Sequence, residues 1–243
     1  MPGRREARLG FDHLATGHHA RIVVRPDGSR RLARGADAAK DQSYVLYVLG
    51  QAQLARTLLP VGEVTKDAVR AEAVRRGLRT ADKPDSQDVC FVTSAAGRQG
   101  FLGRRIPLRP GRVVDAGGAE VGGVEAVELV TIGQRRGLGL AGGTGARYVV
   151  DVDVPAATVT VGDESDLLAD HVVLDNVVWA DGPVAGAVTA QGSAHGRPRP
   201  ALVEPVGAAG ARVSFAEPQR RVATGQSVVL YEGDEVVGGG TAA

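Results

Sequence analysis

The hydrophobic pattern of this chain changes its period near Gly100, and that change restricts the possible folds more than any other feature of the sequence. Before it, apolar residues recur at helical spacing. Thr65 is suited to cap a helix and Gly77 to end it. A second helix is predicted over residues 41–49, with Asp41 at its cap. These helices, with a short apolar segment before them, indicate part of an α/β domain.

After Gly100, apolar and polar residues alternate with the period of a half-buried strand. Strands are predicted at residues 112–114, 147–154, 158–161, 172–174, 211–215 and 227–231. The Ala- and Gly-rich stretch 183–196 is predicted to be loop that contains one weak strand. Short strands separated by Gly-rich turns are typical of small barrels. The sequence thus predicts a partial α/β domain, a small β-rich domain and a C-terminal β-barrel, with bounds of 1–98, 99–168 and 169–243.

Composition and charge limit the class of protein. No run of about 18 apolar residues occurs, and the basic N-terminus leads into no apolar segment. We therefore expect neither a membrane span nor a secretory signal. A cytoplasmic location is the corresponding prediction. The net charge is +1, from 29 basic and 28 acidic residues, so nucleic-acid binding would depend on the local distribution of charge. Arginines cluster, either as a solvated surface or as basic patches, at residues 104–105, 135–136, 197/199 and 220–221.

Two segments of the N-terminal part are candidates for ligand contact. Residues 15–19 form a small-residue turn after an apolar strand, where backbone N–H groups can approach a phosphate or a nucleobase and His18 can contact a ligand. The same residues also fit a plain strand-to-helix turn with two surface histidines. Lys40, Asp41 and Gln42 stand together at a predicted helix N-terminus, where they can engage a phosphate, a 2′-hydroxyl or a base edge. The alternative is an ordinary helix cap.

Two further segments carry a thiol and a pair of arginines. Cys90 lies between a polar stretch and an apolar one, and a thiol at such a loop-to-strand junction is either mobile and reactive or a structural filler. As the single cysteine it permits no disulfide framework and no structural zinc site, and the five histidines show no metal-ligand spacing. Arg135 and Arg136 are flanked by glycines, in a loop that either approaches RNA or is simply tight.

The order of these segments along the chain resembles the tRNA-specific 2-thiouridylase family. The resemblance extends from about Leu9 to the C-terminal region, and the combination of segments is highly specific. The matching segments are residues 11–18 (FDHLATGH), 40–44 (KDQSY), 59–62 (LPVG), 83–91 (KPDSQDVCF), 133–139 (GQRRGLG) and 225–231 (GQSVVLY).

This resemblance implies an enzyme that places sulfur on the wobble uridine of tRNA. In the family, a Rossmann-like ATP-pyrophosphatase domain uses Mg-ATP to adenylate the C2 oxygen of the uridine, and residues 1–98 would be a remnant of that domain. One cysteine, matched by Cys90, receives a persulfide from a sulfur-relay donor protein or a cysteine desulfurase, and it later forms a disulfide with a second cysteine. Gly17 matches a glycine that contacts ATP. The positions that match tRNA contacts are His18, Lys40, Asp41, Gln42 and Gln226. We further predict that Arg135 and Arg136 lie on one basic face with residues 40–42.

The sequence also departs from the family pattern. The Ser-Gly-Gly-Val-Asp-Ser loop that holds the ATP phosphates does not occur, nor does the partner cysteine. A basic-aromatic pair of the last domain is replaced by Ser193 and Ala194, so no tRNA contact is assigned there. We therefore expect an incomplete form that is inactive alone and exposes apolar sheet edges. The main alternative is a non-catalytic tRNA-binding module. A third, another ATP-pyrophosphatase such as an argininosuccinate synthase, is disfavoured by residues 83–91 and by the predicted barrel.

Overall fold

The computed structural model describes residues 10–82, 97–140 and 145–243. These fall into two compact units, the first formed by residues 10–82, 170–217 and 224–243 and the second by residues 97–140, 145–169 and 218–223. The helices are α1 (Ser43–Leu46), α2 (Gln51–Leu54), α3 (Lys66–Arg75) and α4 (Gly97–Gly103). The strands are β1 (Leu14–Ala15), β2 (Ala20–Val24), β3 (Arg30–Arg34), β4 (Thr57–Leu58), β5 (Gly111–Val114), β6 (Glu120–Val124), β7 (Tyr148–Asp153), β8 (Thr158–Gly162), β9 (Leu168–Trp179), β10 (Gly186–Gln191), β11 (Arg199–Val206), β12 (Gly210–Arg220), β13 (Ser227–Glu232) and β14 (Glu235–Ala242).

The first unit is built on a closed barrel of β9 to β14. The strands follow the order β13-β10-β11-β12-β9-β14, and β14 pairs back with β13 to close the ring. This confirms the predicted C-terminal β-barrel. The weak strand predicted within residues 183–196 is β10, which pairs on both sides, with β11 and with β13. Its small residues explain why a pattern that depends on large apolar side chains indicated it only weakly.

A hairpin of β2 and β3, which the sequence did not predict, extends the barrel sheet. Glu235 of β14 pairs with Ala33 of β3, and β2 pairs antiparallel with β3. Strand β3 is rich in arginine and shows no apolar pattern in the sequence. Arg31 is nevertheless buried, and its Nε donates to Asp181 Oδ2 at 2.6 Å. A buried cation is tolerated because it is paired.

The N-terminal helices pack on the barrel through one hydrophobic cluster. Its buried members are Ala20, Leu32, Tyr44, Leu54, Val229, Tyr231 and Val236. Tyr47 lies against Gly239 of β14, where an added Cβ would meet Tyr47 Cδ2 at 2.6 Å and the carbonyl oxygen of Val228 at 2.9 Å. Glycine at this position therefore permits the close approach of the tyrosine ring.

The predicted helix at residues 66–75 is confirmed, and the predicted helix at residues 41–49 is shortened. Thr65 Oγ1 accepts the Ala68 N–H at 3.3 Å, and Gly77 adopts φ +64° after the last turn. The helix predicted over residues 41–49 is α1, which covers only Ser43–Leu46. Its N-cap position is Gln42, so Asp41 lies one residue before the cap. The carboxylate of Asp41 binds other groups, described below.

The second unit contains a four-stranded sheet in the order β6-β5-β8-β7. Strands β5 and β8 are parallel, and the two outer pairs are antiparallel. Its buried residues form a second hydrophobic cluster of Val113, Val124, Val127, Leu138, Val149, Val159 and Val161. Within the described ranges, no helix has both the length and the apolar character needed to cross a bilayer.

Candidate functional site

The loop of residues 16–18 follows β1 at the carboxyl end of a short parallel pair. Leu14 and Ala15 pair in parallel with β4, and the Thr16 N–H donates to the carbonyl oxygen of Leu58. Thr16 Oγ1 and His18 Nδ1 are joined by a hydrogen bond of 2.9 Å, which orients the imidazole. Gly17 is exposed between them, with open space around its Cα. Ligands of open α/β sheets bind at this end of the strands.

Asp41 holds together the loop of residues 35–43, which carries three of the predicted tRNA-contacting residues. Its Oδ1 accepts the backbone N–H groups of Gly35 and Ser43, each at 3.0 Å. Its Oδ2 accepts from Arg34 Nη1 and from Ser43 Oγ, each at 2.9 Å. A carboxylate has about four acceptor positions. The Asp41 side chain is 8% exposed, so its hydrogen-bonding capacity is used inside the protein.

Arg34 connects this loop to the barrel. Its Nη2 donates to Gln191 Oε1 at 2.9 Å, and its Cζ lies 3.8 Å from the centre of the Tyr231 ring. The hydroxyl of Tyr231 lies 3.1 Å from Ser43 Oγ, within the same network. Burial raises the pKa of Tyr231, so its hydroxyl stays protonated at neutral pH. A charged guanidinium over a buried ring is a favourable cation–π contact.

Gln42 and Lys40 present polar groups from this fixed loop. Gln42 is exposed, yet its Oε1 accepts the His19 N–H at 2.9 Å and its own N–H donates to the carbonyl oxygen of His19. Lys40 is exposed, and its backbone N–H donates to the carbonyl oxygen of Asp37. The carboxylate of Asp37 in turn accepts the backbone N–H of Lys66, the main cause of its lowered pKa.

Gln226 lies beside the same loop. The Tyr44 hydroxyl donates to the carbonyl oxygen of Ser227 at 2.7 Å, and it also hydrogen-bonds the Gln226 side chain. Burial raises the pKa of Tyr44 in spite of that second bond, which opposes the shift. The first unit therefore gathers Gln226 and the loop of residues 35–43 around α1, with the 16–18 loop joined to them through His19.

The predicted RNA-binding arginines lie in the second unit. Gly133 and Gln134 bond to both backbone groups of Val149, which fixes the loop of residues 133–139 against β7. Gln134 Nε2 also donates to the carbonyl oxygen of Arg136 at 2.8 Å. Arg135 and Arg136 are both exposed. The sequence did not single out Tyr148, although its ring lies below the guanidinium of Arg135.

The catalytic prediction falls outside what the structure covers. Cys90 lies outside the described residues. Gly17 is the residue predicted to contact ATP, and it offers an open backbone between Thr16 and His18, whose side chains bond to each other. Within the described ranges, one open glycine does not by itself make a site that fits ATP. The described residues contain no group of three or more His, Cys, Asp or Glu side chains placed to hold a metal ion.

Three family models match the chain in succession. Residues 3–94 match the tRNA methyl transferase HUP domain, residues 99–163 the tRNA methyl transferase PRC-barrel domain, and residues 169–242 the aminomethyltransferase beta-barrel domain. These three models confirm the predicted fold class, in which an α/β domain is followed by a small β-rich domain and a β-barrel. The chain therefore has the domain composition of a tRNA-modifying protein.

Individual relatives narrow this class to one family. The chain is 47% identical to the tRNA-specific 2-thiouridylase MnmA of Streptomyces avermitilis, over 97% of this chain and 64% of that protein. It is 44% identical to the protein of the same name from Carboxydothermus hydrogenoformans, over 96% of this chain and 65% of that protein. A third relative of that name, from Roseiflexus castenholzii, is 44% identical over 97% of this chain and 68% of its own length. The chain belongs to the tRNA-specific 2-thiouridylase family, and it spans about two thirds of the length of these relatives.

Proposed function

We propose that the protein acts in the ATP-dependent 2-thiolation of the wobble uridine of tRNA. The observation that carries this proposal is the 47% identity to a tRNA-specific 2-thiouridylase along 97% of the chain. The geometry of the first unit supports it, because polar groups that match tRNA contacts surround one rigid loop. We also propose a cytoplasmic location and a sulfur-relay protein or cysteine desulfurase as partner. The three domains would then have the bounds 1–98, 99–168 and 169–243.

The proposed tRNA contacts divide into two roles. His18, Lys40 and Gln226 would contact RNA directly. The side-chain NH2 group of Gln42 would do so as well, since its Oε1 already accepts the His19 N–H. Asp41 would act by position, since its carboxylate already accepts four hydrogen bonds within the protein. Because RNA carries its negative charge on phosphates, a carboxylate neutralised by Arg34 also avoids repelling the ligand.

Cys90 is proposed to carry the transferred sulfur as a persulfide. The terminal sulfur would attack the activated C2 of the uridine and displace the activated oxygen as the leaving group. A second thiol would then attack the Sγ of Cys90 and break the S–S bond, which leaves the terminal sulfur on C2 and joins the two cysteines in a disulfide. A persulfide ionises more readily than a thiol, which suits it to this attack on carbon. Asp85 and Asp88, close in sequence, disfavour a thiolate unless positive groups gather near it. We expect that gathering to accompany tRNA binding.

The decisive experiment joins the N-terminal segment of the Streptomyces avermitilis relative, the part this chain does not match, to the 243-residue chain. Thiolation of tRNA is followed by mass spectrometry of digested nucleosides. We expect 2-thiouridine from the joined protein and none after Cys90→Ser, with tRNA affinity unchanged in that variant. Equal 2-thiouridine from both proteins would remove Cys90 from the mechanism.

A non-catalytic tRNA-binding module is the second candidate. It rests on one observation of the first unit, that Asp41 holds the loop of residues 35–43 through bonds within this chain. The same experiment separates the two. If the 243-residue chain binds tRNA and the joined protein forms no 2-thiouridine, the module is the correct assignment. If the unmodified 243-residue chain forms 2-thiouridine by itself, both the module and the expected inactivity of the chain are wrong.

A further inference from the structure

The ring of Tyr148 lies between elements that each supply an arginine. Tyr148 is the first residue of β7 and is half-buried. The Gly133 N–H donates to the carbonyl oxygen of Val149 at 2.7 Å, and the Val149 N–H donates to the carbonyl oxygen of Gln134 at 2.9 Å. These two bonds place the next residue of the loop, Arg135, beside the tyrosine. Its Cζ lies 5.7 Å from the centre of the Tyr148 ring.

A second arginine reaches the same ring from the end of β12. Arg220 Cζ lies 5.9 Å from the ring centre. The neighbouring Arg221 fixes this segment, because its N–H donates to the carbonyl oxygen of Leu167 at 2.7 Å. Arg220 also runs past Gly133, where an added Cβ would lie 3.7 Å from its Nη1. The two arginines therefore share one ring although they are 85 residues apart in sequence.

The charge of this cluster is available to a ligand. Arg135 is exposed and forms no ion pair with any residue that the structure describes. Arg220 is paired only loosely, with Glu164 at 3.7 Å, and these two side chains are 61% and 71% exposed. A pair so exposed contributes little and is readily exchanged for another anion. In the described ranges the Tyr148 hydroxyl has no hydrogen-bond partner.

We propose that Arg135, Tyr148 and Arg220 form a binding site for the sugar-phosphate backbone of RNA. Both guanidinium groups lie within about 6 Å of the ring centre, the outer range of a cation–π contact, so the ring favours these positions for the two charges. Planar guanidinium groups bind phosphate oxygens bidentately, and the free tyrosine hydroxyl can donate to a third oxygen. Naming that RNA as tRNA rests on the function proposed above. Arg135 was expected to bind RNA from sequence, whereas Tyr148 and Arg220 were not.

The site is tested by the salt dependence of RNA binding. The 243-residue chain is titrated into fluorescent tRNA and into an unrelated RNA hairpin at several salt concentrations, with anisotropy as the readout. Each phosphate contact makes the slope of log K against log salt more negative by about 0.7 to 0.9. That slope corresponds to about 5- to 8-fold in affinity at 0.1 M salt relative to 1 M. Arg135→Ala and Arg220→Ala should each lose that factor and about one unit of slope, with both RNAs.

Three further variants separate positioning from charge and from misfolding. Tyr148→Phe keeps the ring and should keep the wild-type salt slope, with a loss of about 2- to 10-fold in affinity for the missing hydroxyl donor. Tyr148→Leu should also lower the slope, as the arginine variants do. Arg112→Ala is the matched control. Arg112 pairs across the sheet with Thr158, which in turn pairs with Asp153. Asp153 ends β7 about 16 Å from Tyr148, so Arg112 lies far from the proposed site. The Arg112→Ala substitution removes the same charge as the arginine variants and should leave the salt slope unchanged. Circular dichroism verifies that each variant is folded.

The outcomes distinguish the site from the proposed function. If tRNA binds and the arginine variants match wild type in affinity and slope, the site is wrong while the proposed function stands, and an acidic protein becomes the candidate partner. If only the hairpin binds, with the predicted loss in both arginine variants, the site stands and the tRNA assignment fails. If neither RNA binds, the site is wrong.

Discussion

Replacing Asp41 should destabilise the first unit strongly, because four donors depend on one nearly buried carboxylate. Asp41→Ala leaves the Gly35 and Ser43 N–H groups and the guanidinium of Arg34 without their acceptor. Removing one partner of a buried ion pair costs about 3 to 5 kcal/mol. Arg34 is 21% exposed and keeps its bond to Gln191, so part of its charge can be rehydrated. We therefore expect a loss of about 3 kcal/mol.

The single tryptophan provides the assay. Trp179 ends β9 and packs against Gly238, so its fluorescence in urea reports unfolding of the first unit. Asp41→Asn retains one acceptor oxygen but turns an N–H group towards a neighbour that already donates, and it should cost about 2 kcal/mol. In a double-mutant cycle, Arg34→Ala and Asp41→Ala should couple by about 1.5 kcal/mol or more. Asp27→Ala is the matched control, because that exposed turn carboxylate accepts from the N–H and Oγ of Ser29 next to it.

Two results would refute this reasoning about Asp41. A loss below about 1 kcal/mol, close to that of the Asp27 control, would show that the network is not a main source of stability. A normal stability of Asp41→Asn combined with a weaker affinity for tRNA would show that the carboxylate contacts RNA directly. The role of positioning proposed for it would then be wrong.

Two smaller predictions concern packing and pH. Gly239→Ala should cost about 1 to 3 kcal/mol in urea unfolding, because the new methyl group would overlap the Tyr47 ring, and Tyr47→Ala in the same protein should restore part of the loss. Hydrogen bonds from Arg75 and Arg76 lower the pKa of Glu72 from 4.5 to about 2. The contribution of this exposed cluster to stability is present above pH 4.5 and is lost as the pH falls towards 2. Titration of Glu72 by NMR should show the low pKa, and about 1 M salt should raise it; a midpoint near 4.5 at low salt would contradict the assignment.

Local sequence signals predicted the elements that local forces determine. Thr65 and Gly77 marked the ends of α3 because capping and left-handed backbone depend on single residues. Alternation predicted β7 and β8 because each has one face in a core. Strand β10 was indicated only weakly because its residues are small, and the hairpin of β2 and β3 was missed because the arginine-rich β3 shows no apolar alternation. Tertiary context overrides weak local propensity in such strands.

The candidate site of the first unit shows the same limit at the level of side chains. The sequence placed Asp41 at a helix cap, which is a local role, and the resemblance placed it on RNA. Neither indicated Arg34 as its partner, nor Gln191, which binds Arg34 from 157 positions away in the chain. A carboxylate bonded to Arg34 and to three local donors is a feature of the folded chain alone.

The Tyr148 cluster shows which sequence signal was present but insufficient. Arginine pairs at 135–136 and 220–221 were visible, and each had an ordinary interpretation as solvated surface. What distinguishes Arg135 and Arg220 from other exposed arginines is the aromatic ring between them, which depends on the pairing of residues 133 and 134 with Val149. Charge counted along the sequence cannot separate an ordered pair from two independent side chains. In the proposed site, an ordered pair would lose less side-chain entropy on binding a phosphate, so local geometry would set RNA affinity although the net charge is only +1.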